Sequence, residues 1–271
     1  MNHKQKALLT TGALIVVFLA LGLWYMATNP APVAKAPTAT TTPSVMVETL
    51  YLRDSGQYHE IEVAYPSATP LRSTAGEAAD TEAVALMRTF GENSITSFKE
   101  SADVDSLSPT ERTLFGLEDG RKYAMTIEYT LHESTHTITY VYLMYQDTLG
   151  AHPNTYYRTF TFDRTTGENL HMEDLFLAGA PYLERLSERT RADLPAIMAS
   201  KADISTESVD RDYIASGTLP ITDAFNNFAI DGETLIVVFP PYQVAPYVYG
   251  RIDVPLPLAD LADILASEYR P

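Results

Sequence analysis

The chain has 271 residues, with 35 acidic and 19 basic side chains, no cysteine and a net charge of −16 at pH 7. The missing cysteine excludes disulfides, cysteine nucleophiles and lipid attachment to cysteine. The acidic balance repels nucleic acid and favours encounter with a basic partner, although it also suits plain solubility. We therefore expect no nucleic-acid binding.

The N-terminal segment is predicted to anchor the chain in a membrane. Residues 1–6 carry Lys4 and Lys6 and form a cytoplasmic stub, whereas residues 7–28 contain no charged side chain and are long enough to cross a bilayer. We expect a single-pass protein of the cell membrane whose C-terminal domain lies outside the cytoplasm. A cleaved signal peptide, which would give a secreted form, is the alternative.

Residues 29–44 are predicted to form a spacer because they are rich in proline and threonine. Such a composition does not pack into a core, and at ~3.1 Å per residue it reaches at most roughly 50 Å. This distance would hold the following domain away from the membrane, toward a cell wall.

Residues 45–120 are interpreted as two strands and a long helix. Residues 45–52 and 58–65 alternate between apolar and polar side chains, as strands do. Residues 77–99 place apolar side chains at helical spacing, with Gly91 as a weak point.

Residues 121–271 are interpreted as a second part that begins with three strands, at 123–131, 137–145 and 155–163. The middle strand has apolar residues on both faces, which predicts a central strand covered on both sides. Tyr140 and Tyr142 are accordingly expected in the core.

The remainder of this part alternates between helices and a hairpin. Pro181 opens a helix, and Pro195 is expected either to break it or to start a second helix. A hairpin spans 225–239 around an Asp-Gly turn, and a closing helix is predicted over 258–267. Strands and helices occur in separate runs, so the predicted class is α+β, with a mainly antiparallel sheet and packed helices.

The loop Gly150–Thr155 between two tyrosine-rich strands has the composition of a turn with a fixed shape. Gly150 can adopt a positive φ, Pro153 restricts φ, and Asn154 tolerates turn geometry. Loops of this kind carry function more often than the strands beside them.

The segment His132–His136 matches H-E-x-x-H, the zinc-protease motif. That chemistry needs both imidazoles on one helical face. The flanking residues are strong strand formers, so we predict a hairpin turn, although His152, His171 and Glu173 leave a third ligand open. We expect no metal and no cofactor. No motif compels catalysis, so a binding protein is favoured over an enzyme.

Two segments of the second part resemble the bacterial domain-of-unknown-function family 3298. The first is Gly150-Ala-His-Pro-Asn-Thr155, followed by Phe160-Thr-Phe-Asp163, and the second is Pro241-Tyr-Gln-Val-Ala-Pro-Tyr247. The resemblance covers residues 121–271. Upstream, Ile61-Glu-Val-Ala-Tyr-Pro66 makes residues 45–120 similar to the companion family 4163.

The resemblance implies an envelope-facing binding module. Family 3298 occurs on membrane-anchored or secreted bacterial proteins, including a lysozyme-binding anti-sigma factor and the non-catalytic part of a peptidoglycan deacetylase. The implied partners are cell-wall glycan or a basic wall-degrading protein such as lysozyme.

The residues predicted to bind the ligand lie in or beside the two family segments, where tyrosines are concentrated and can serve as interface anchors. They are His152, Asn154, Tyr156, Tyr242, Gln243 and Tyr247. His152 has a structural alternative, in which its hydrogen bonds to the Pro-Gln-Val-Ala-Pro segment lock the hairpin. The other functional hypothesis is an envelope hydrolase that uses His152 and nearby acids to cleave peptidoglycan or peptides.

Overall fold

The structure is a computed structural model that describes residues 47–72, 74–103 and 106–271. The predicted cytoplasmic stub, membrane span and spacer lie outside these ranges. None of the helices within them is both long enough and apolar enough to cross a membrane.

The first part of the described chain contains two strands and two helices. Strand β1 (Thr49–Ser55) and strand β2 (His59–Pro66) form a hairpin, followed by the long helix α1 (Gly76–Ala102) and the short helix α2 (Pro109–Leu114). The two predicted strands and the long helix are confirmed, with β1 shifted by a few residues toward the C-terminus. Helix α2 begins at a capping box in which Ser108 and Glu111 satisfy each other's backbone N–H groups.

Four further strands extend the same sheet. They are β3 (Tyr123–Glu133), β4 (Thr137–Asp147), β5 (Asn154–Asp163) and the two-residue β6 (Asn169–Leu170). The six strands lie in chain order, and every neighbouring pair is antiparallel except β2 and β3. The sheet is therefore mixed, because the helical crossover between β2 and β3 returns the chain to the same end.

Helix α1 covers one face of this sheet. Ala83, Met87 and Phe98 are buried against it, and Gly91 faces β2. A Cβ atom at Gly91 would lie 2.7 Å from Cγ1 of Val63. Gly91 is thus a point of close approach between helix and sheet, and the helix continues through it without a break.

Strand β4 is buried on both faces, as predicted. Tyr140 and Tyr142 are fully buried toward α1, which confirms their place in the core. On the opposite face, the hydroxyls of Thr139 and Thr161 lie 3.1 Å apart, and the Thr159 hydroxyl accepts a hydrogen bond from the Phe228 N–H at 3.2 Å. These short side chains let a second sheet approach closely.

The second sheet has three antiparallel strands and its own helices. The predicted hairpin is confirmed, with its turn after Asp231. The elements of this half are α3 (Tyr182–Ala202), α4 (Arg211–Gly217), β7 (Phe228–Asp231), β8 (Thr234–Phe239) and β9 (Ile252–Pro257).

The predicted break at Pro195 is wrong, since α3 runs through it. Pro195 is buried together with Leu194 and Met198. The buried apolar face stabilises the helix enough to offset the loss of one backbone hydrogen bond.

The predicted closing helix over 258–267 is also wrong. Only short 3-10 turns occur there, at Leu258–Leu261 and Ser267–Tyr269. The Ala266 N–H donates to the Leu175 carbonyl at 3.0 Å, and the Leu177 N–H donates to the Ile264 carbonyl at 2.8 Å. These backbone groups therefore bond to residues that lie far away in the chain, and they are not available for the hydrogen bonds of a helix.

Candidate functional site

The loop between β4 and β5 is built around Leu149, which takes the positive φ that Gly150 could adopt. Leu149 has φ of 59°, whereas Gly150 has no positive φ. The Leu149 N–H donates to the Asp147 carboxylate at 2.8 Å, and the Leu149 side chain is buried. Burial and this hydrogen bond hold a residue with a Cβ atom in the left-handed region.

His152 lies on this loop and contacts the C-terminal family segment. Its ring stacks on Tyr247, with centroids 4.7 Å apart and planes 23° apart. The Tyr247 hydroxyl donates to the Pro153 carbonyl at 3.0 Å, and Nδ1 of His152 lies 2.9 Å from the same oxygen. The hairpin loop is therefore locked to the C-terminal family segment, as in the structural alternative for His152. The hydrogen bond of this lock is donated by Tyr247 and not by His152.

Tyr242 extends this aromatic row. Its ring centroid is 5.4 Å from that of Tyr247, its side chain is exposed, and its φ is 71°. The Tyr213 hydroxyl donates to the Tyr242 carbonyl at 3.1 Å and supports this backbone conformation. His152, Tyr247 and Tyr242 are thus brought together on one surface.

Gln243 and Asn154 lie apart from the aromatic row. The Gln243 amide donates to the carbonyl oxygens of Gly217 (3.0 Å) and Ala224 (2.8 Å), so both of its N–H donors are used inside the protein. Asn154 begins β5 opposite Gln146, and its side chain forms no hydrogen bond with another described residue.

Tyr156 lies in a different place, at a groove between α1 and the β4–β5 end of the sheet. The groove has a volume of about 660 Å³ and is open to solvent. Its floor is aromatic, with Phe90 half-buried and Phe98 and Phe160 almost fully buried, and Tyr156 is its exposed aromatic ring. The exposed part of its helical wall is largely polar and carries no charge. The lining residues are Leu86, Thr89, Phe90, Asn93, Ser94, Ser97, Phe98, Ser101, Met144, Gln146, Tyr156, Arg158 and Phe160.

The helical wall offers free hydrogen-bonding groups. Thr89, Asn93 and Ser97 follow one another at a spacing of four residues and are exposed. Their side chains have no hydrogen-bond partner among the residues that the structure covers. These side chains can therefore donate hydrogen bonds to, and accept hydrogen bonds from, a polar ligand that lies along α1.

Arg158 supplies the single charge of the groove. Its guanidinium lies 5.5 Å from the Phe160 ring centroid and pairs with no carboxylate of the described residues. Arg53 and Arg164, by contrast, are ion-paired with Glu62 and Glu133. In so acidic a chain, a groove without carboxylates favours a neutral or anionic ligand.

Apart from Tyr156, the residues of this groove were not predicted from the sequence. The polar stripe at four-residue spacing, beside the apolar stripe that contains Phe90 and Phe98, was the available signal. A polar stripe on a helix is ordinarily a solvated face, so the pattern alone did not indicate a site.

The H-E-x-x-H segment is a hairpin turn, as predicted. His132 lies in β3, and the Ser134 hydroxyl accepts hydrogen bonds from the N–H groups of His136 and Thr137 at 3.2 and 2.9 Å. Arg164 donates to the Ser134 carbonyl at 3.1 Å. Across residues 47–271, apart from the three not described, no group of three or more potential ligands could hold a metal ion.

Solved structures share the fold. A DUF3298 family protein from Pseudomonas aeruginosa PAO1 superposes with a TM-score of 0.52 at 12% identity, covering 83% of this chain and 96% of that one. A member of the same family from Bacteroides fragilis NCTC 9343 gives 0.51 at 16% identity, covering 82% and 94%. At these identities the likeness concerns the fold alone.

Sequence comparison adds a curated relative and the family itself. The chain is 28% identical over 185 residues to the peptidoglycan-N-acetylmuramic acid deacetylase PdaC of Bacillus subtilis (strain 168). The alignment covers 68% of this chain and 36% of that protein, so the chain spans about a third of its relative's length. Residues 173–259 match the family described as "Protein of unknown function (DUF3298)". This match includes the second family segment and α3, and it confirms the resemblance to family 3298 over these residues: residues 173–259 form a DUF3298 family domain. The first family segment and the residues similar to family 4163 lie outside the match, so that part of the resemblance stays a prediction.

Proposed function

We propose that this protein is a binding module of the bacterial envelope that holds cell-wall glycan in the groove between α1 and the β4–β5 end of the sheet. The main support for this proposal is the set of residues that line the groove. Sugar rings pack their apolar faces on aromatic side chains and bond their hydroxyl and amide groups to small polar side chains. The groove provides the half-buried ring of Phe90 and the exposed ring of Tyr156 for such packing, and a wall with Asn93 and Ser97.

The comparisons support a connection with the wall. The Bacillus subtilis relative is named for a reaction on peptidoglycan. We propose that residues 7–28 tether the module to the cell membrane and that residues 29–44 carry it toward the wall. This arrangement would place the groove where glycan strands are present.

The hydrolase hypothesis gains no support from the geometry around His152. Its ring contacts Tyr247 and the Pro153 carbonyl, and no described carboxylate lies within hydrogen-bonding distance of it. A general base needs a partner that orients it toward the substrate. The aromatic row is more simply a structural lock with an exposed side.

A basic wall-degrading protein such as lysozyme is the second candidate partner. Tyr242 and Val248 are 52% and 87% exposed beside the lock, and large apolar side chains in such positions serve as interface anchors. The acidic charge of the chain would speed the encounter with a basic protein.

Cosedimentation of the full-length chain with purified peptidoglycan tests the first proposal. Ser97→Tyr fills the groove and is expected to weaken binding at least about tenfold, or about 1.4 kcal/mol. Ser200→Tyr is the matched control, since Ser200 is an exposed serine on α3. If the two variants bind equally, the groove is not the binding site. If the wild type does not bind, cell-wall glycan is not the ligand.

The second candidate has its own measurement. A titration with a basic lysozyme at low and high salt should show binding that weakens as salt rises if the partner is a protein. Tyr242→Ala should weaken that binding while wall binding stays unchanged. No binding at low salt rules out this partner.

A further inference from the structure

The outer rim of the groove is the edge of β5, and over its first residues no described strand pairs with that edge. Strand β6 pairs only with Thr161 and Phe162, so β5 has no partner on this side before Thr161. The Asp163 N–H points to this side, where it donates to the Glu168 carbonyl at 2.9 Å. Since directions alternate along a strand, the N–H and C=O groups of Thr155 and Tyr157 also point outward. Neither residue receives a backbone hydrogen bond there from any described residue.

The free edge is short and ends at a defined point. The Thr159 hydroxyl accepts from the Phe228 N–H at 3.2 Å and lies 3.5 Å from the Asn226 carbonyl. This contact lies on the face away from α1, and strand β6 occupies the edge itself from Thr161 onward. About two or three residues of an extended peptide fit beside Thr155–Tyr157, because each strand residue advances about 3.4 Å.

The side chains between these backbone groups face the groove. Tyr156 and Arg158 alternate with Thr155 and Tyr157, and both line the groove. A peptide added to the edge would thus run directly beside a sugar chain bound on the aromatic floor. Strand addition gives affinity through main-chain hydrogen bonds and specificity through neighbouring side chains.

The charge of this rim favours a carboxylate. Arg158 is unpaired among the described residues, and no acidic residue lines the groove. A guanidinium binds a carboxylate through two parallel hydrogen bonds. The other arginine beside this edge, Arg251, lies 5.3 Å from the Tyr157 ring centroid and is paired with Asp253. Arg158 also borders a second cavity, which Glu173 lines. On the groove side, Arg158 is therefore the local feature that would attract an anionic group.

We infer that the groove recognises the peptide branch of cell-wall glycan, with the branch added to the Thr155–Tyr157 edge and its terminal carboxylate on Arg158. This inference rests on the proposed glycan function and names the part of the glycan that gives affinity. Bare sugar chains would then occupy only the aromatic floor.

Calorimetric titration of the full-length chain with soluble wall fragments tests the inference. The probes are a disaccharide that carries its peptide branch, the same disaccharide without the peptide, and the branched fragment with its terminal carboxylate amidated. The branched fragment should bind at least about tenfold more tightly than either of the other two. Equal affinity for all three would overturn the inference and leave the glycan proposal standing, whereas no binding of any probe or of whole peptidoglycan would overturn both.

Two variants locate the contacts. Arg158→Gln should bind the acid and the amidated fragment equally, while Arg53→Gln, at the other edge of the sheet, should keep the wild-type preference. Thr155→Pro removes an outward N–H that the sheet does not use and should weaken binding of the branched fragment about tenfold. An unfolding midpoint equal to that of the wild type shows that each variant is folded. Wild-type affinity in both Arg158→Gln and Thr155→Pro would contradict the inference.

Discussion

Edge strand β1 of the six-stranded sheet and the part of β5 that β6 leaves uncovered at the opposite edge carry the same pair of side chains in different surroundings. Strand β1 presents Tyr51 and Arg53, and strand β5 presents Tyr156 and Arg158. Both tyrosines are 45% exposed. Only the neighbours of these pairs distinguish the two edges.

At the β1 edge the charge is neutralised locally. The Arg53 guanidinium lies 2.6 Å from the Glu62 carboxylate and 4.6 Å from the Tyr51 ring centroid. Leu52, between them, packs on the core beneath α1, so Tyr51 and Arg53 face away from that helix. At the β5 edge Arg158 pairs with no described carboxylate and faces a groove. The same two residue types therefore form a candidate site at one edge and an ordinary surface at the other, depending on the residues around them.

The position of α1 explains the groove at the β5 side of the sheet. Gly91 lets the helix approach Val63 of β2, whereas toward β5 the helix presents Asn93 and Ser97, which are exposed. The helix is therefore tightly packed on β2, whereas toward β5 it packs through Phe90, whose ring centroid is 5.4 Å from that of Phe160, and leaves a groove beside this contact.

The largest expected effect concerns the tightly packed side. Gly91→Leu should lower the free energy of unfolding by about 3 kcal/mol, because the added side chain meets the stiff Val63 and the helix must shift. Ser97→Leu, on the groove side of the same helix, should change it by no more than about 0.5 kcal/mol. Urea unfolding measures both, and equal losses in the two variants would contradict the asymmetry.

The next effect concerns the charge of the groove. Met144 lies opposite Tyr156 in the sheet and lines the groove, so Met144→Glu gives Arg158 the acidic neighbour that Arg53 already has. Binding to purified peptidoglycan should weaken about tenfold, or about 1.4 kcal/mol. Met144→Leu should bind as the wild type does. Undiminished binding by Met144→Glu would show that an unpaired arginine is not what distinguishes the β5 edge.

Local patterns in the sequence predicted much of the fold. Alternation identified β3, β4 and β5, and the two-sided apolar pattern placed Tyr140 and Tyr142 in the core. The failures involve partners far away in the chain. Residues 258–267 have a helical pattern but pair with the backbone near Leu175, and Leu149 rather than Gly150 takes the positive φ because its side chain is buried.

The site was predicted less completely than the fold. The hairpin loop and the C-terminal family segment do meet, through His152 and Tyr247. The groove was missed because its wall and rim lie more than fifty residues apart along the chain and neither is unusual alone. The unpaired state of Arg158 depends on which carboxylates the fold brings near, and spacing along the chain does not contain that information.

A smaller effect is expected from the opposite experiment at β1. Glu62→Gln frees Arg53 but creates no groove, so it should neither raise peptidoglycan binding nor lower the free energy of unfolding by more than about 0.5 kcal/mol. The pair is exposed to solvent, which keeps its contribution small. Cosedimentation and urea unfolding measure the two quantities. A gain in wall binding would mean that a free arginine at a strand edge is sufficient without a groove.

The smallest effect comes from the charges that connect β1 to its neighbours. Hydrogen bonds from His59 and Lys99 lower the pKa of the Asp54 carboxyl below its ordinary value of 3.8. A lowered carboxyl pKa stabilises the folded state above pH 3.8, and this contribution is lost as the pH falls below that value. Asp54→Asn should therefore cost no more than about 0.5 kcal/mol at pH 7, because the group is partly exposed, and the difference should shrink by pH 3. Urea unfolding of both proteins at the two pH values measures it, with Asp260→Asn as a control for an exposed aspartate paired with an arginine. A difference that grows toward low pH would mean that Asp54 is destabilised in the fold, and the β1 edge would then not be neutralised as the structure indicates.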